Sequence, residues 1–353
     1  MRTRSKLITG MLALAFLGAC SNDDEMNEKS NGEKASITVT LKGEKLSTRA
    51  TGSTSDSETD ERKVVNYKVY VFNYNSGVLE KEVDGTVSSG TAGSTQVDGL
   101  NTAGTKRVVV VANLPAGFSS ISNYTDFEAA TFDLELQNPA NRATTGLVMS
   151  GESPELTLTS GTPVPVSVSI KRVVAKIELG SVTIDPETGH TKNFVLTNVS
   201  IQKAKSKANI GPATVKSEAP FYGGFAGTES TVPTPDNYLL DYISITQPNR
   251  TPQIFDNFFY VFPNDEAGSE TLLNISGTYD GKVTHFPFRI NSIVSGTADG
   301  TLIKRNTRYI LNVTLKKLGS GTTDPDGPGD PAAIEVTVTT EGWEGPLTQN
   351  VEW

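Results

Sequence analysis

Short runs of β-branched and aromatic residues recur along most of the chain, and clusters of Gly, Pro, Asn and Asp separate them. No long segment keeps the 3.6-residue apolar period of an amphipathic helix, so the pattern predicts an all-β fold. β-Sandwiches are the most natural architecture for many short strands divided by turn residues. The predicted strands are residues 64–74, 107–112, 164–170, 173–179, 194–201, 258–262, 272–279, 309–315 and 334–339.

Two continuous apolar runs predict two separate cores. Residues 108–111 are four consecutive valines, and residues 258–262 read FFYVF. A strand that is apolar at every position is typical of one covered on both faces. We therefore expect two β-sandwich domains in tandem, residues 50–182 and 183–318, which divide near the Gly- and Asp-containing stretch at 180–185.

The two ends of the chain carry nearly interchangeable strands. Residues 36–41 and 333–339 alternate apolar and polar residues, which places the apolar side chains of each on one face. These side chains are Ile37, Val39 and Leu41 in the first segment and Ile334, Val336 and Val338 in the second. Two equivalent strands predict competition for one groove. The alternative interpretation is that each strand permanently completes a sheet of its own domain.

Each terminal strand is also joined to the body by a polar segment. Residues 47–62 are rich in Ser, Thr, Gly and charge, and Arg49 in this stretch is easily reached by an Arg-specific protease. Cleavage after Arg49 would leave the first strand held only by non-covalent pairing. Arg62 is an alternative cleavage point. Residues 319–331, GSGTTDPDGPGDP, contain no apolar residue that ties them to a core, which predicts a flexible linker.

A second apolar set follows the last strand. Leu347, Val351 and Trp353 are spaced by even numbers after the turn at residues 342–346. This pattern predicts a second strand of the same element, with Trp353 as an anchor in a pocket. A hairpin folded onto its own domain fits the pattern equally well.

The start of the chain has the features of a secretory signal. Arg2, Arg4 and Lys6 precede an apolar core at residues 7–16, which is too short to span a bilayer. The signal ends in LGAC at residues 17–20, which resembles a bacterial lipobox. Cys20 is therefore the predicted site of lipid attachment. An ordinary signal peptide with a chance Cys is the alternative.

Composition narrows the function classes. The 353 residues hold 31 Lys and Arg against 40 Asp and Glu, a formal charge of -9, and no long basic block, which argues against nucleic-acid binding. A single Cys permits neither an intramolecular disulfide nor a multi-Cys zinc site. Stability must therefore come from packing and strand pairing.

Candidate catalytic and metal-binding residues are few, and we predict no enzyme activity, cofactor or metal. His190 lies in a turn and His285 in a strand, and neither has a nucleophile at motif spacing. Asp324, Asp326 and Asp330 are interrupted by prolines and lack the downstream Glu of a calcium loop, so a spacer is the better interpretation. No nucleophile-elbow, zincin or phosphate-loop string occurs.

A set of motifs in fixed order resembles the major fimbrial subunits (fimbrillins, or type V pilins) of Bacteroidales. The motifs are residues 17–20 (LGAC), 49–50 (RA), 108–115 (VVVVANLP), 147–152 (LVMSGE), 171–177 (KRVVAKI), 260–264 (YVFPN), 305–309 (RNTRY) and 336–338 (VTV), followed by Trp343 and Trp353. The resemblance covers nearly the whole chain. It implies two transthyretin-like (Greek-key) β-sandwich domains with a flexible C-terminal donor-strand segment.

The resemblance also implies a role for each segment. Residues 1–19 are the signal peptide and residues 20–49 a propeptide, in which Ile37, Val39 and Leu41 form a placeholder strand. Cys20 carries the lipid of an outer-membrane lipoprotein precursor, and the bond between Arg49 and Ala50 is the processing site. Residues 319–353 comprise the linker and the donor strands, with Ile334, Val336, Val338, Leu347, Val351 and Trp353 as the donor side chains.

The function implied is that of a shaft subunit of a cell-surface fimbria. The expected partners are further copies of the chain in a head-to-tail polymer, fimbrial anchor and tip subunits, an Arg-specific protease, and host or bacterial surface ligands in adhesion and biofilm formation. Two alternatives stay open at this point. One is an anchor or tip subunit of the same fimbria, and the other is a monomeric glycan-binding surface lipoprotein.

Overall fold

The computed structural model describes residues 33–42, 60–115, 118, 120–138, 144–189, 193–211, 217–222, 239–246, 252–264, 270–290, 303–324 and 334–342. Over these ranges the protein is almost entirely β, so the predicted all-β class is confirmed. The strands are β1 Lys34–Lys42, β2 Tyr67–Asn73, β3 Leu79–Asp84, β4 Val87–Ser88, β5 Thr91–Ala92, β6 Thr95–Asn101, β7 Lys106–Ala112, β8 Thr131–Asp133, β9 Met149–Glu152, β10 Val164–Ser169, β11 Lys171–Arg172, β12 Ala175–Ile184, β13 Phe194–Gln202, β14 Ala204–Asn209, β15 Ser217–Tyr222, β16 Leu240–Thr246, β17 Gln253–Ile254, β18 Phe258–Val261, β19 Leu272–Tyr279, β20 Lys282–Arg289, β21 Thr307–Leu315 and β22 Ile334–Gly342. Helix α1 spans Tyr124–Ala129, and a 3-10 helix spans Leu134–Gln137.

Eight of the first eleven strands form a sandwich of a three-stranded and a five-stranded sheet. The smaller sheet has the order β10-β1-β6, and the larger has the order β11-β9-β7-β2-β3. Apolar side chains from both sheets share one core, to which β1 contributes Ile37, Val39 and Leu41. The alternation of these residues in the sequence therefore corresponds to a strand with one face in a core.

Strand β7 is buried on both faces, as its run of valines predicts. Val108 and Val110 pack in the core shared with β1, whereas Val109 and Val111 pack in a second core on the opposite side. All four valines are 0% exposed. The five-stranded sheet is therefore a middle layer with apolar contacts on each face.

Besides the three-stranded sheet β15-β14-β8, two larger sheets surround the second core. One has the order β17-β12-β21-β22, with β18 also paired to β12, and the other has the order β16-β13-β19-β20. Strands β12 and β21 run parallel, whereas β21 and β22 run antiparallel. The inward residues of β12 and β18, among them Ile177 and Phe259, are buried together with Val199 of β13 and Ile275 of β19.

Strand β12 crosses the predicted domain boundary at 182–183. Its partners β17, β18 and β21 all lie later in the chain. The apolar cluster around β12 also includes Tyr70 and Phe72 of β2. By their contacts, the described residues from Glu33 onward form one compact unit. The division into residues 50–182 and 183–318 therefore stays a prediction.

Helix α1 is a local element that hydrophobic patterning did not indicate. Asn123 caps it, because its Oδ1 accepts a hydrogen bond from the backbone N–H of Asp126 at 2.8 Å. Phe127 is the buried residue of the helix, and its ring lies 5.7 Å from that of Tyr70. Six residues are too few to show a helical period, so the cap was the only available signal.

The first part of the predicted flexible linker is bonded to edge strand β20. The backbones of Ser320 and His285 exchange two hydrogen bonds of 2.9 Å each, and Gly319 N–H donates to Thr284 Oγ1 at 2.9 Å. A Cβ on Gly319 would lie 2.3 Å from the carbonyl oxygen of His285, so only glycine permits this approach. Residues 319 and 320 are therefore tied to β20 by their backbone groups, whereas the prediction considered only apolar side chains.

Candidate functional site

Strand β1 is the central strand of its sheet. It pairs in parallel with β10, where Ile37 lies opposite Val164, and antiparallel with β6, where Thr38 lies opposite Gln96. Both backbone edges of β1 are therefore engaged, although β1 and residue 60 are separated in sequence by residues 43–59. β1 therefore joins β6 and β10, which do not pair with each other, into one sheet.

The groove that holds β1 is apolar. Ile37 and Val39 are 0% exposed and Leu41 is 2% exposed. The residues of the same core that surround them are Val97 and Leu100 of β6, Val166 and Val168 of β10, and Val69, Val71, Val108 and Val110 of the facing sheet. Without β1, β6 and β10 would each present an unpaired row of backbone donors and acceptors beside this apolar floor.

The second predicted strand, β22, lies at the edge of another sheet. It pairs antiparallel with β21 along its whole length, from Ile334 opposite Leu315 to Gly342 opposite Thr307. Ile334, Val336 and Val338 are half-buried and pack against the second core. The outward residue Glu335 forms an ion pair with Lys316.

The structure therefore does not bring the two strands together within one chain. β1 has neighbours on both sides and a fully buried face, whereas β22 has one neighbour and a half-buried face. This arrangement agrees with the sequence-based alternative in which each strand completes a sheet of its own chain. β1 and β22 thus share one sequence pattern, but the apolar side chains of β1 are more deeply buried than those of β22.

Several predicted residues lie outside the described ranges. These are Cys20, Arg49, Ala50, His190, Asp326, Asp330, Leu347, Val351 and Trp353. Of the three aspartates considered for calcium, only Asp324 is described. Within the described part of the chain, no group of three His, Cys, Asp or Glu side chains is arranged to hold a metal ion.

His285 has a hydroxyl neighbour that the sequence did not indicate. Its Nδ1 lies 2.8 Å from Oγ of Ser276, which also accepts a hydrogen bond of 2.7 Å from the amide of Asn274. Ser276 and His285 are direct cross-strand partners on β19 and β20. Burial lowers the pKa of His285, which favours its neutral form. We interpret the contact as a cross-strand hydrogen bond that satisfies two partly buried polar groups.

A cluster of charged residues lies on the outer face of the sheet that contains β12, β18 and β21. The sequence did not indicate this cluster. Lys176 Nζ lies 2.8 Å from Glu61 and 2.7 Å from Glu178, and Arg308 Nη2 lies 2.8 Å from Glu178. Tyr260 donates its hydroxyl to Glu61 at 2.7 Å. Burial alone would raise the pKa of Glu178, but Lys176 and Arg308 together hold it below its ordinary value.

The cluster follows from strand register. Lys176 of β12 lies opposite Tyr260 of β18 and opposite Arg308 of β21, so the three side chains share one face. The signal in the sequence was polar residues alternating with apolar ones in strand 173–179. Glu61 lies more than a hundred residues earlier, and no local pattern links it to Lys176.

In the part of the chain that the structure describes, no helix combines the length and apolarity needed to traverse a bilayer. The fold and the geometry of β1 define a class: a protein of stacked β-sheets whose first strand fills the centre of a sheet.

Comparison with known proteins specifies this class further. Residues 35–168, from β1 through β10, match the model of the family described as the major fimbrial subunit protein (FimA). The match includes all of β6 and all but one terminal residue of β1 and of β10, the three strands of the sheet that holds β1. No curated protein matches the chain.

Solved structures share the fold over most of the chain. A putative cell adhesion protein from Bacteroides eggerthii is 28% identical, with a TM-score of 0.64 over 91% of this chain and 98% of that one. A fimbrilin from Porphyromonas gingivalis is 18% identical, with a TM-score of 0.64 over 89% and 99%. The tip fimbrial protein Mfa3 from the same species is 18% identical, with a TM-score of 0.51 over 88% and 99%.

The resemblance to the major fimbrial subunit family drawn from the sequence is thereby confirmed. The chain thus resembles the major fimbrial subunit family over residues 35–168 and a putative cell adhesion protein over most of its length. The similar structures include a fimbrilin and a tip protein, so the shared fold alone does not assign a position within a fimbria.

Proposed function

We propose that the chain is the shaft subunit of a fimbria and that it polymerises by donor-strand exchange. In this proposal β1 is a placeholder that occupies the groove of its own subunit before assembly. The observation that carries the proposal is the central position of β1 and the full burial of its apolar face, in a strand whose covalent connection to the body is residues 43–59.

Cleavage after Arg49 would convert β1 into a separate peptide held by pairing and packing alone. Its departure would expose the groove between β6 and β10. Such a groove binds an added strand through backbone hydrogen bonds, while alternate side chains provide specificity. A second copy of the chain supplies a strand of the right pattern, and a head-to-tail contact that does not close generates a filament.

Strand β22 is the proposed donor, followed by residues 343–353 with Leu347, Val351 and Trp353. Its apolar residues have the same two-residue spacing as those of β1, so Ile334, Val336 and Val338 would take the places of Ile37, Val39 and Leu41. The incoming strand would run parallel to β10 and antiparallel to β6, as β1 does.

Once β1 has left, the empty groove offers β22 more burial than its own sheet does. Full burial of an aliphatic side chain contributes about 1.5–3 kcal/mol, so moving a half-buried one into the groove adds roughly 1 kcal/mol. The three side chains of β22 would gain about 3 kcal/mol in this way, together with a second ladder of backbone hydrogen bonds. The same move would remove β22 from β21, which offsets part of the gain. Exchange also requires that the cleaved β1, with its fully buried face and two paired edges, first dissociate from the groove.

The precursor in this proposal is a lipoprotein of the outer membrane, attached through Cys20. Maturation by an Arg-specific protease separates the lipid from the body. Further partners are the anchor and tip subunits and the surface ligands that the fimbria contacts in adhesion and biofilm formation.

The N-terminus of the protein in surface material sheared from cells tests the proposal. We expect Ala50 by mass spectrometry, together with a ladder of detergent-resistant multimers on a non-boiled gel. An Arg49→Ala variant should accumulate as unpolymerised precursor on the membrane. An acylated Cys20 on a monomer in the sheared material would contradict the shaft role and favour an anchor subunit or a glycan-binding lipoprotein.

A further inference from the structure

Residues 60–62 form one helical turn. This turn contacts the outer face of the paired strands β12, β18 and β21. The side chain of Glu61 is 1% exposed, and it meets Lys176 at 2.8 Å and the hydroxyl of Tyr260 at 2.7 Å. The buried guanidinium of Arg172 donates through Nε to the carbonyl oxygen of Glu61 at 2.9 Å. Both the side chain and the backbone of Glu61 are therefore held.

The residues after Arg62 are held by a separate set of contacts. Asn113 donates through Nδ2 to the carbonyl oxygen of Lys63 at 2.9 Å and accepts from the N–H of Val65 at 2.7 Å. The N–H of Val64 donates to the carbonyl oxygen of Gly90 at 2.9 Å. The bond between Arg62 and Lys63 thus lies between two sets of contacts, one made by Glu61 and the other by Lys63, Val64 and Val65.

A protease cuts a bond of this kind only when the segment opens, because the chain must extend through the active site. Opening residues 60–65 must separate Glu61 from Lys176, which leaves a buried cation with one fewer carboxylate partner. Between the end of β1 and residue 60 the sequence contains one arginine, Arg49.

We infer that Glu61 is a positioning residue that protects the Arg62–Lys63 bond and thereby directs Arg-specific maturation to Arg49. This inference rests on the proposed function, since it concerns the choice of bond in the same maturation step. Its consequence is that Glu61 stays with the mature subunit. Cleavage after Arg62 would instead remove the carboxylate that Lys176 and Tyr260 contact.

The test is limited digestion of the purified full-length precursor with an Arg-specific endoprotease. Initial rates of cleavage after Arg49 and after Arg62 are measured by intact mass spectrometry. In the wild type we expect cleavage after Arg49 to be at least about tenfold faster. Glu61→Ala should raise the rate after Arg62 about tenfold or more and leave the rate after Arg49 unchanged. Glu58→Ala, which removes a carboxylate three residues earlier, is the matched control and should change neither rate.

Site selectivity separates a positioning role from general loosening of the fold. Cleavage after the buried Arg172 reports global unfolding, and it should stay slow in Glu61→Ala. Tyr260→Phe removes only one hydrogen bond to Glu61 and should raise cleavage after Arg62 by a smaller factor, so it serves if Glu61→Ala does not fold. Equal cleavage after Arg49 and Arg62 in the wild type would overturn the inference without any variant.

The same assay is independent of polymerisation. If Arg62 is cut as fast as Arg49, the inference on Glu61 fails while strand exchange is untouched, because either cut separates β1 from the body. If both sites behave as expected and cleaved subunits never assemble, the proposed function fails and the inference on the processing bond stands.

Discussion

Replacing Ile37 with alanine measures how firmly the groove holds β1 after the covalent connection is cut. Ile37 is 0% exposed and lies between Val164 of β10 and Val97 of β6. Truncation of a buried isoleucine to alanine costs about 2–5 kcal/mol. At about 1.4 kcal/mol per factor of ten, retention of the cleaved strand should weaken about 30-fold or more.

The single cysteine of the chain makes this retention easy to follow. A chain that starts at Cys20 and lacks lipid is labelled there with a fluorescent maleimide and then cleaved after Arg49. Gel filtration over time shows how long the label stays with the body, and the weaker affinity should appear mainly as faster dissociation. Thr38→Ala, on the half-buried face of β1, is the matched control and should change the rate by about twofold.

Two results would refute this reasoning. The first is a cleaved Ile37→Ala strand that stays bound as long as the wild-type strand, which would mean that the groove does not grip its apolar face. The second is an equal effect of Ile37→Ala and Thr38→Ala, which would mean that backbone pairing alone holds β1.

Other perturbations test further parts of the account. Glu178→Gln should lower the free energy of unfolding at pH 7 by roughly 3 kcal/mol. Because Lys176 and Arg308 hold the folded-state pKa of Glu178 below its ordinary value, this deficit should vanish as urea unfolding is repeated at pH values down through the lowered pKa, and a constant deficit would contradict the ion pairs. Gly319→Val should destabilise the protein by about 1–3 kcal/mol in thermal unfolding, because the valine side chain would meet the carbonyl of His285. Gly321→Val is the control and should not destabilise it, because the space around Gly321 is open; equal effects of the two variants would count against the linker contact. Deleting residues 334–353 should give monomers that accept a strand but cannot donate one, and fibres of this variant alone would exclude the tail as donor.

The sequence predicted those features that depend on local alternation. Side chains two positions apart lie on the same face of a strand, so the alternation in β1 predicts one buried face and the valine run of β7 predicts two. Both predictions need only neighbouring residues of the sequence. Strand pairing was not visible in the same way. The parallel pairing of β1 with β10 joins residues about 130 positions apart, such as Ile37 and Val164, and no local signal specifies it.

The charged cluster and the linker contact escaped prediction for related reasons. Lys176 lies on the polar side of an alternating strand and Glu61 in a polar segment, both of which patterning assigns to solvent, and their burial arises only when these distant segments meet. The bonds between Ser320 and His285 are made by backbone groups, which carry no side-chain signature. Tertiary pairing, rather than composition, determines such contacts.

The most direct test of strand exchange is a disulfide between subunits in the register that β1 occupies. Gln96 lies opposite Thr38 across β6 and β1, and directly opposed residues of an antiparallel pair have Cα atoms about 4.5–5.5 Å apart, which suits a disulfide. If β22 replaces β1, Glu335 takes the place of Thr38. We expect fibres of a Gln96→Cys, Glu335→Cys chain to give a covalent ladder on oxidation, and a mixture of the two single variants to give dimers. Fibres that form but yield no intersubunit disulfide, either with Glu335→Cys or with Thr337→Cys in its place, would contradict the central claim.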